Sequence, residues 1–288
     1  MSKAFFVCCS YVVVVHRLEM MISKLPTQSS VMTVMAKAVV KASKGLLRDF
    51  SELENLQVSI KQNKSFVTSA DLKANKILKD ALLYARPTYS LISEESEEII
   101  GEDPSHKWII DPLDGTLNYM HGVPHWAISV ALEKDDEIIA AITYDPVKDE
   151  MFWAEKGCGA YLNDKKIRVS GRRLASDVLL TVASIKHVSG NVVNSVSGVR
   201  KTGCVTLDMA YIAAGRSDLL FLTDKNPNKW DVAAGMLLIK EAGGIVATEN
   251  GKTTSNSSDV SIMCNINLMP DAAQIYKTLH YKHNQEDK

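Results

Sequence analysis

Trp108-Ile109-Ile110-Asp111-Pro112-Leu113-Asp114-Gly115-Thr116-Leu117-Asn118-Tyr119 carries three apolar residues into two carboxylates and then into a Gly-Thr pair. Trp108 to Ile110 reads as the end of a buried strand, because a short β-branched run closed by proline rarely continues as helix. Asp111 and Asp114 are then expected on the turn at the strand's end, close enough to share a divalent cation. Hard oxygen ligands suit Mg²⁺ or Mn²⁺ better than zinc, which prefers nitrogen and sulfur. Gly115 and Thr116 follow with backbone N–H groups at the start of a new segment, a place that favours phosphate.

Taken alone, Asp-Pro and Asp-Gly are ordinary turn dipeptides. Two further acidic groups weigh against that bland reading: Ser93-Glu94-Glu95-Ser96 upstream and Lys229-Trp230-Asp231 downstream. With them, the segment from Trp108 to Leu132 resembles the signature of the inositol monophosphatase family. Ser93–Ser96 and Trp230–Gly235 are similar to that family's other acidic motifs, in the same order. The likeness extends to Val67-Thr68-Ser69-Ala70-Asp71, to Gly157–Asn163 and to Leu207–Asp218, and it spans about Val31 to Leu279.

The resemblance implies a Mg²⁺-dependent phosphomonoesterase that hydrolyses myo-inositol monophosphate by attack of metal-activated water. It assigns Glu94, Asp111 and the Leu113 carbonyl to a first metal, and Asp111, Asp114 and Asp231 to a second. Glu95 and Thr116 would orient the attacking water and help remove its proton, with Asp114 beside them. Asp114, Gly115, Thr116, Gly203, Cys204 and Asp224 would touch the substrate. Mn²⁺ is an alternative cation, and a homodimer is implied by the resemblance only. Histidinol phosphate, another sugar phosphate or a nucleoside 3′-phosphate would suit the same chemistry. A role as a transcription antitermination partner is the rival from another class.

The chain departs from the family pattern in three places. Ser65 stands where relatives carry an aspartate for a third metal, and a neutral hydroxyl holds Mg²⁺ far more weakly than a carboxylate. Gly203-Cys204-Val205 replaces a Gly-Ser/Thr-Ala segment beside the sugar ring. The acidic residue that grips ring hydroxyls has two candidates by alignment, Leu222 from one side and Asp224 from the other, and charge favours Asp224.

Other candidates fall away on local grounds. His121 and His125 are four apart, but Gly122 and Pro124 prevent a shared helical face, so no zinc site is expected. Gly157-x-Gly159 reads as a tight turn, since no strand–helix context for a nucleotide loop surrounds it.

At 288 residues the chain can bury a substantial core. Lys and Arg (33) nearly balance Asp and Glu (34), which gives no electrostatic reason to expect nucleic acid or an anionic membrane as main partner. Five cysteines without a CxxC pair point to a reducing cytoplasm. Ala4 to Val15 is almost wholly apolar but too short to span a bilayer as a helix. It reads as part of a non-family extension over residues 1–30, with a signal peptide as the alternative.

Apolar spacing predicts a helix over 31–50 and another from about Ser69 to Ala85, capped by Thr68 or Ser69. Strand-like runs follow at 107–111, 126–134, 137–145 and 150–155, with Gly157–Asn163 and Lys165–Ser170 continuing the meander. Beyond Gly171 strands at 178–184, 219–222, 244–248 and 260–264 alternate with helices at 207–215, 231–242 and 271–281. Residues 250–258 read as a surface loop. The expected architecture is a layered α/β fold, a five-layer α/β/α/β/α sandwich. Its N-terminal half (31–170) carries most metal ligands, and its C-terminal half (171–282) carries Asp231 and substrate contacts.

Overall fold

The computed structural model describes residues 29–53, 60–185, 188, 190–222 and 226–280. Its first layer is a helix pair, α1 (Ser30–Leu53) and α2 (Ile60–Ala85). Met32, Met35, Val39, Ala42, Leu46 and Phe50 form the buried stripe of α1, at the spacing that keeps one helical face toward the core. The second helix begins well before the expected Ser69. Val67 belongs to the same stripe as Ala70, Ala74 and Leu78, so it must already be helical to bury its side chain. Thr68 and Ser69 lie on the exposed face inside the helix, where a capping role is not available to them.

An eight-stranded sheet forms the second layer, in the order β2-β1-β3-β4-β5-β6-β7-β8. The strands are β1 (Tyr89–Ser93), β2 (Ser96–Ile99), β3 (Asp103–Asp114), β4 (Ala127–Lys134), β5 (Glu137–Asp145), β6 (Glu150–Glu155), β7 (Gly159–Leu162) and β8 (Lys165–Lys166). Strands β4 to β6 fall within a residue of their expected bounds. Asp135 and Asp136 both adopt positive φ, 49° and 62°, in the two-residue turn between Lys134 and Glu137. That backbone twist matches the twist of the flanking strands. The pair β1 and β2 was not expected, because its short, Ser- and Glu-rich strands carry little apolar alternation.

Both faces of the large sheet are buried, and they differ in side-chain size. Trp108, Ile110, Ile128, Val130, Leu132, Ile142 and Tyr144 face α1 and α2. Ile109, Ala127, Ala131, Ala141, Ala154 and Ala160 face the opposite way, toward α5 (Val205–Ala213) and α6 (Lys229–Glu241). Small residues there let the third layer, these two helices, lie close to the strands.

The fourth layer is a five-stranded sheet in the order β10-β9-β11-β13-β12. It contains β9 (Leu179–Val182), β10 (Gly198–Arg200), β11 (Leu219–Phe221), β12 (Gly244–Ala247) and β13 (Ile262–Asn265). Its outer face, including Leu180, Val182, Phe221 and Ile262, is covered by α7 (Met269–His280) and the short α4 (Gly190–Ser195). Helices, sheet, helices, sheet, helices: the chain is the expected five-layer α/β sandwich.

Strand β3 corrects one detail that matters for the site. It does not stop at Asp111 but runs to Asp114, so the two carboxylates sit on a strand and not on a turn. Asp111 pairs with Ser129 and Asp114 with Ala127, three residues against two, which marks a β-bulge. Pro112 lies inside it, where its missing N–H breaks no ladder bond that the sheet requires. No helix among the described residues is long and apolar enough to cross a membrane.

The contact between α5 and α6 depends on Gly235. A Cβ built there would lie 2.5 Å from the Met209 Cβ, inside any tolerated contact. Gly235→Ala is therefore expected to destabilise the fold. Overpacking costs about 1–3 kcal/mol, against a helix-propensity gain of about 1 kcal/mol. Urea unfolding of the two proteins measures the difference; an unchanged or higher midpoint would contradict it.

Candidate functional site

Five elements converge on one group of carboxylates at the ends of β1 and β3. Ser93 closes β1 opposite Ile110 in a parallel pairing, and the Glu94 N–H donates to the Ile110 carbonyl at 3.3 Å. That register sets Glu94 beside Asp111 on the neighbouring strand. Glu94 and Glu95 form the two-residue turn between Ser93 and Ser96, and so stand at the sheet's end. The bulge gives Asp111 and Asp114 the same parity, both paired with residues on one face of β4. That face looks toward α5 and α6.

Asp71 arrives from α2. Ser93 Oγ donates to Asn75 Oδ1 at 2.8 Å, tying the helix to the end of β1. Asp71 lies one turn before Asn75 on the same face, which aims it at Glu94 and Glu95. Asp231 comes from α6. Asn228 occupies the N-cap of that helix and Asp231 sits in its first turn. The Asn228 amide donates to Asp231 Oδ2 at 3.3 Å. Lys229, beside it, forms an ion pair with Glu133 and so braces α6 against β4.

Burial and the neighbouring charges raise the pKa of four of these carboxylates. Burial, then the charges of Glu95 and Glu94, pushes Asp71 up to about 8. Glu94 has an exposed flank, yet packing around its carboxyl and the charges of Asp231, Glu95 and Asp114 push it up to about 7. Asp111 is fully enclosed and held well above the ordinary range by burial and by Asp114, Glu94, Asp231 and Asp71. Asp231 is pushed up to about 6 by burial and by Asp114. Asp71 Oδ1 is buried and accepts no hydrogen bond among the described residues. A buried carboxylate oxygen without a donor is costly unless a cation meets it.

The phosphate side of the site follows directly. Gly115 adopts φ 85°, and a Cβ there would come within 3.0 Å of the His125 carbonyl, so glycine is required. Thr116 then opens α3 (Thr116–Met120), a short helix the sequence reading did not separate out. Thr116 Oγ1 donates to the Leu113 carbonyl at 3.0 Å. The loop bearing Gly203 is pinned by Asn118, whose amide donates to the carbonyls of His125 (2.8 Å) and Thr202 (2.9 Å). Cys204 is buried, with its thiol 3.1 Å from Asp114 Oδ2. Asp224 lies outside the described residues, as does the Ser65 side chain.

Asp71 and Thr206 join the cluster without having been singled out as site residues. Asp71 was quoted within a motif but given no role. Thr206 donates both its N–H and its hydroxyl to Asp114 Oδ2, each at 2.7 Å. Only its place at the start of α5, two residues past Cys204, could have marked it. His125 has no cation role in this geometry; burial and Lys148 lower its pKa. Among the described residues no three His, Cys, Asp or Glu side chains form a closed ligand cage, and Asp114 Oδ2 faces the donors of α5. Gly157 and Gly159, both at positive φ, form the expected tight turn, and their N–H groups donate to Glu241.

The model of the inositol monophosphatase family matches residues 27–283. An inositol-1-monophosphatase of Rhizobium meliloti is 47% identical over 227 residues, covering 75% of this chain and 85% of that protein. A protein of Xylella fastidiosa called Nus factor SuhB is 36% identical over 245 residues, covering 81% of this chain and 86% of its own length. The crystal structure of the extragenic suppressor protein suhB from Bartonella henselae superposes with a TM-score of 0.78 at 40% identity, over 86% of this chain and all (100%) of that one.

Asp71, Glu94, Asp111 and Asp231 bind protons more tightly in the fold than in the unfolded chain. Their folded pKa values lie above the unfolded ones, so stability falls as pH rises from the ordinary carboxylate range toward about 8. Protein freed of metal by a chelator is expected to melt at a lower temperature at pH 8 than at pH 5, and added Mg²⁺ to reverse the loss. Calorimetric scans across that range test this; a melting temperature that climbs with pH in chelator would contradict it.

Proposed function

The chain belongs to the inositol monophosphatase family, and on that footing we propose that it hydrolyses myo-inositol monophosphate to inositol and phosphate with Mg²⁺ as its cofactor. The observation that carries this reading is the group of six carboxylates, Asp71, Glu94, Glu95, Asp111, Asp114 and Asp231, with Asp71 Oδ1 left unpartnered in the interior. An all-oxygen donor set of this charge fits a hard divalent cation. Glu94, Asp111, Asp231, the free lone pair of the Leu113 carbonyl and one oxygen of Asp114 would hold it. When bound, Mg²⁺ supplies neutralisation of these carboxylates, Lewis-acid stabilisation of the phosphoryl group and a more acidic water.

The chain's own residues supply the rest. Thr116 donates its hydroxyl hydrogen to Leu113, so its oxygen remains free to accept one from the attacking water and orient it. Glu95, at the turn beside Glu94, would take the water's proton. The N–H groups of Gly115 and Thr116, at the start of α3, would meet the phosphate. Gly203, Cys204 and Asp224 remain the proposed substrate side. Histidinol phosphate, other sugar phosphates and nucleoside 3′-phosphates fit the same phosphate-side machinery, so a panel of these identifies the leaving group.

Cys158, Cys204 and Cys264 are unpaired, which suits a reducing cytoplasm. A cytoplasmic homodimer completes the proposal, supported by the family resemblance. The relative called Nus factor SuhB raises the alternative of a partner in transcription. The carboxylate group favours catalysis, since a docking surface has no need to enclose like charges.

Asp114→Asn tests the reading. Asparagine keeps an oxygen for the α5 donors, so the fold is expected to survive while the negative charge is lost. Turnover on inositol monophosphate at saturating Mg²⁺ should fall by about 10²–10³-fold or more. Phosphate release alongside circular dichroism measures it; turnover near that of the unmodified protein would contradict the assignment.

A further inference from the structure

Asp114 Oδ2 collects three donors from the first turn of α5: the Thr206 N–H and hydroxyl at 2.7 Å each, and the Cys204 thiol at 3.1 Å. Cys204 and Thr206 are both fully buried, so water does not compete for these bonds. No hydrogen bond reaches Asp114 Oδ1 among the described residues. One carboxylate oxygen is thus saturated by the protein, at the positive end of a helix, and the other is left over.

We propose that Thr206 is a positioning residue for Asp114: by engaging Oδ2 twice it presents Oδ1 alone to a divalent cation. The proposal rests on the reading of Asp114 as a cation ligand and adds what holds it in posture. The hydroxyl is the part that side-chain chemistry can change, because the N–H belongs to the backbone. Hydrogen bonds to a charged oxygen are among the strong ones, and a carboxylate that loses one has more orientations to give up on binding a cation. Cys204 contributes less, sulfur being a weak donor. Its burial against Asp114 assigns it to the same support.

The test uses the full chain and Mn²⁺ as probe, with binding measured by titration calorimetry in the absence of any substrate. Four proteins are compared: the unmodified chain, Thr206→Val, which keeps the shape but removes the hydroxyl, Thr206→Ser, which keeps the hydroxyl, and Asp114→Asn. Thr206→Val is expected to weaken Mn²⁺ binding roughly tenfold or more, and Thr206→Ser to stay within about threefold of the unmodified protein. In turnover, the valine variant should need correspondingly more Mg²⁺ for half-maximal rate while its maximal rate at excess Mg²⁺ recovers.

Unchanged Mn²⁺ binding by Thr206→Val, with Asp114→Asn impaired, would overturn the positioning role and leave the phosphatase reading standing. Unchanged binding by Asp114→Asn would remove the cation reading itself. Tighter binding by Thr206→Val would show that Oδ2 is withheld from the cation at a cost, contrary to the proposal. Should the valine protein not fold, Thr206→Ala replaces it, and failure of both to fold would overturn the proposal by showing the hydroxyl to serve stability.

Discussion

Repulsion among like charges is the constraint around which the interior of this protein is arranged. Asp111 is enclosed by Asp114, Glu94, Asp231 and Asp71, each of which makes its ionisation harder. Unpaired charges in such a place destabilise a fold by several kcal/mol. Folding nevertheless brings them together from two helices, one strand and a turn. Without a cation the cluster is tolerable only through protons, and the raised pKa values of Asp71, Glu94 and Asp231 record that. Under the proposed function a divalent cation would remove the conflict for all of them at once. The arrangement that strains the metal-free protein would then be the one that makes the metal-loaded protein reactive.

The rest of the fold serves this convergence. The bulge at Pro112 turns Asp114 to the face shared with Asp111, which a regular strand would not do for residues three apart. The small residues on that face, Ala127 and Ala131 among them, admit α5 and α6 close to the strands. Asp231 and the donors on Asp114 come in with those helices. On the opposite face, large residues such as Trp108 and Tyr144 fill the space beneath α1 and α2. Through Asn75 and Ser93, α2 is fastened to the end of β1, and Asp71 is carried in with it.

Much of this was legible in the residues, for reasons of periodicity. Strands β4, β5 and β6 are near-continuous apolar runs closed by turns that carry Asp, Pro or Gly, so their bounds are sharp. The order of the later strands and helices follows from apolar runs separated by Gly and Asp. Other features are tertiary in origin and leave little local trace. That α2 runs through Thr68 and Ser69 goes with the burial of Val67 in the core cluster it shares with α1, which outweighs the capping preference of those two residues. Strands β1 and β2 are held by neighbours more than by their own composition. The bulge is a matter of register between β3 and β4, which no single segment reveals. Within the site, Glu94, Asp111, Asp114 and Asp231 stood out by spacing and resemblance. Asp71 was visible only as part of a motif, and Thr206 looked like an ordinary helix-start threonine. Its role arises because Asp114, 92 positions earlier, points an oxygen at it.

The most direct test of a cation-centred interior is to see the cation. Crystals of the full chain grown with Mn²⁺, measured at the manganese absorption edge, locate it without reference to activity. Anomalous peaks enclosed by Glu94, Asp111 and Asp231, with Asp114 contributing one oxygen, are the expected result. Crystals saturated with Mn²⁺ whose peaks all lie elsewhere on the protein, with the carboxylates still facing one another, would contradict it.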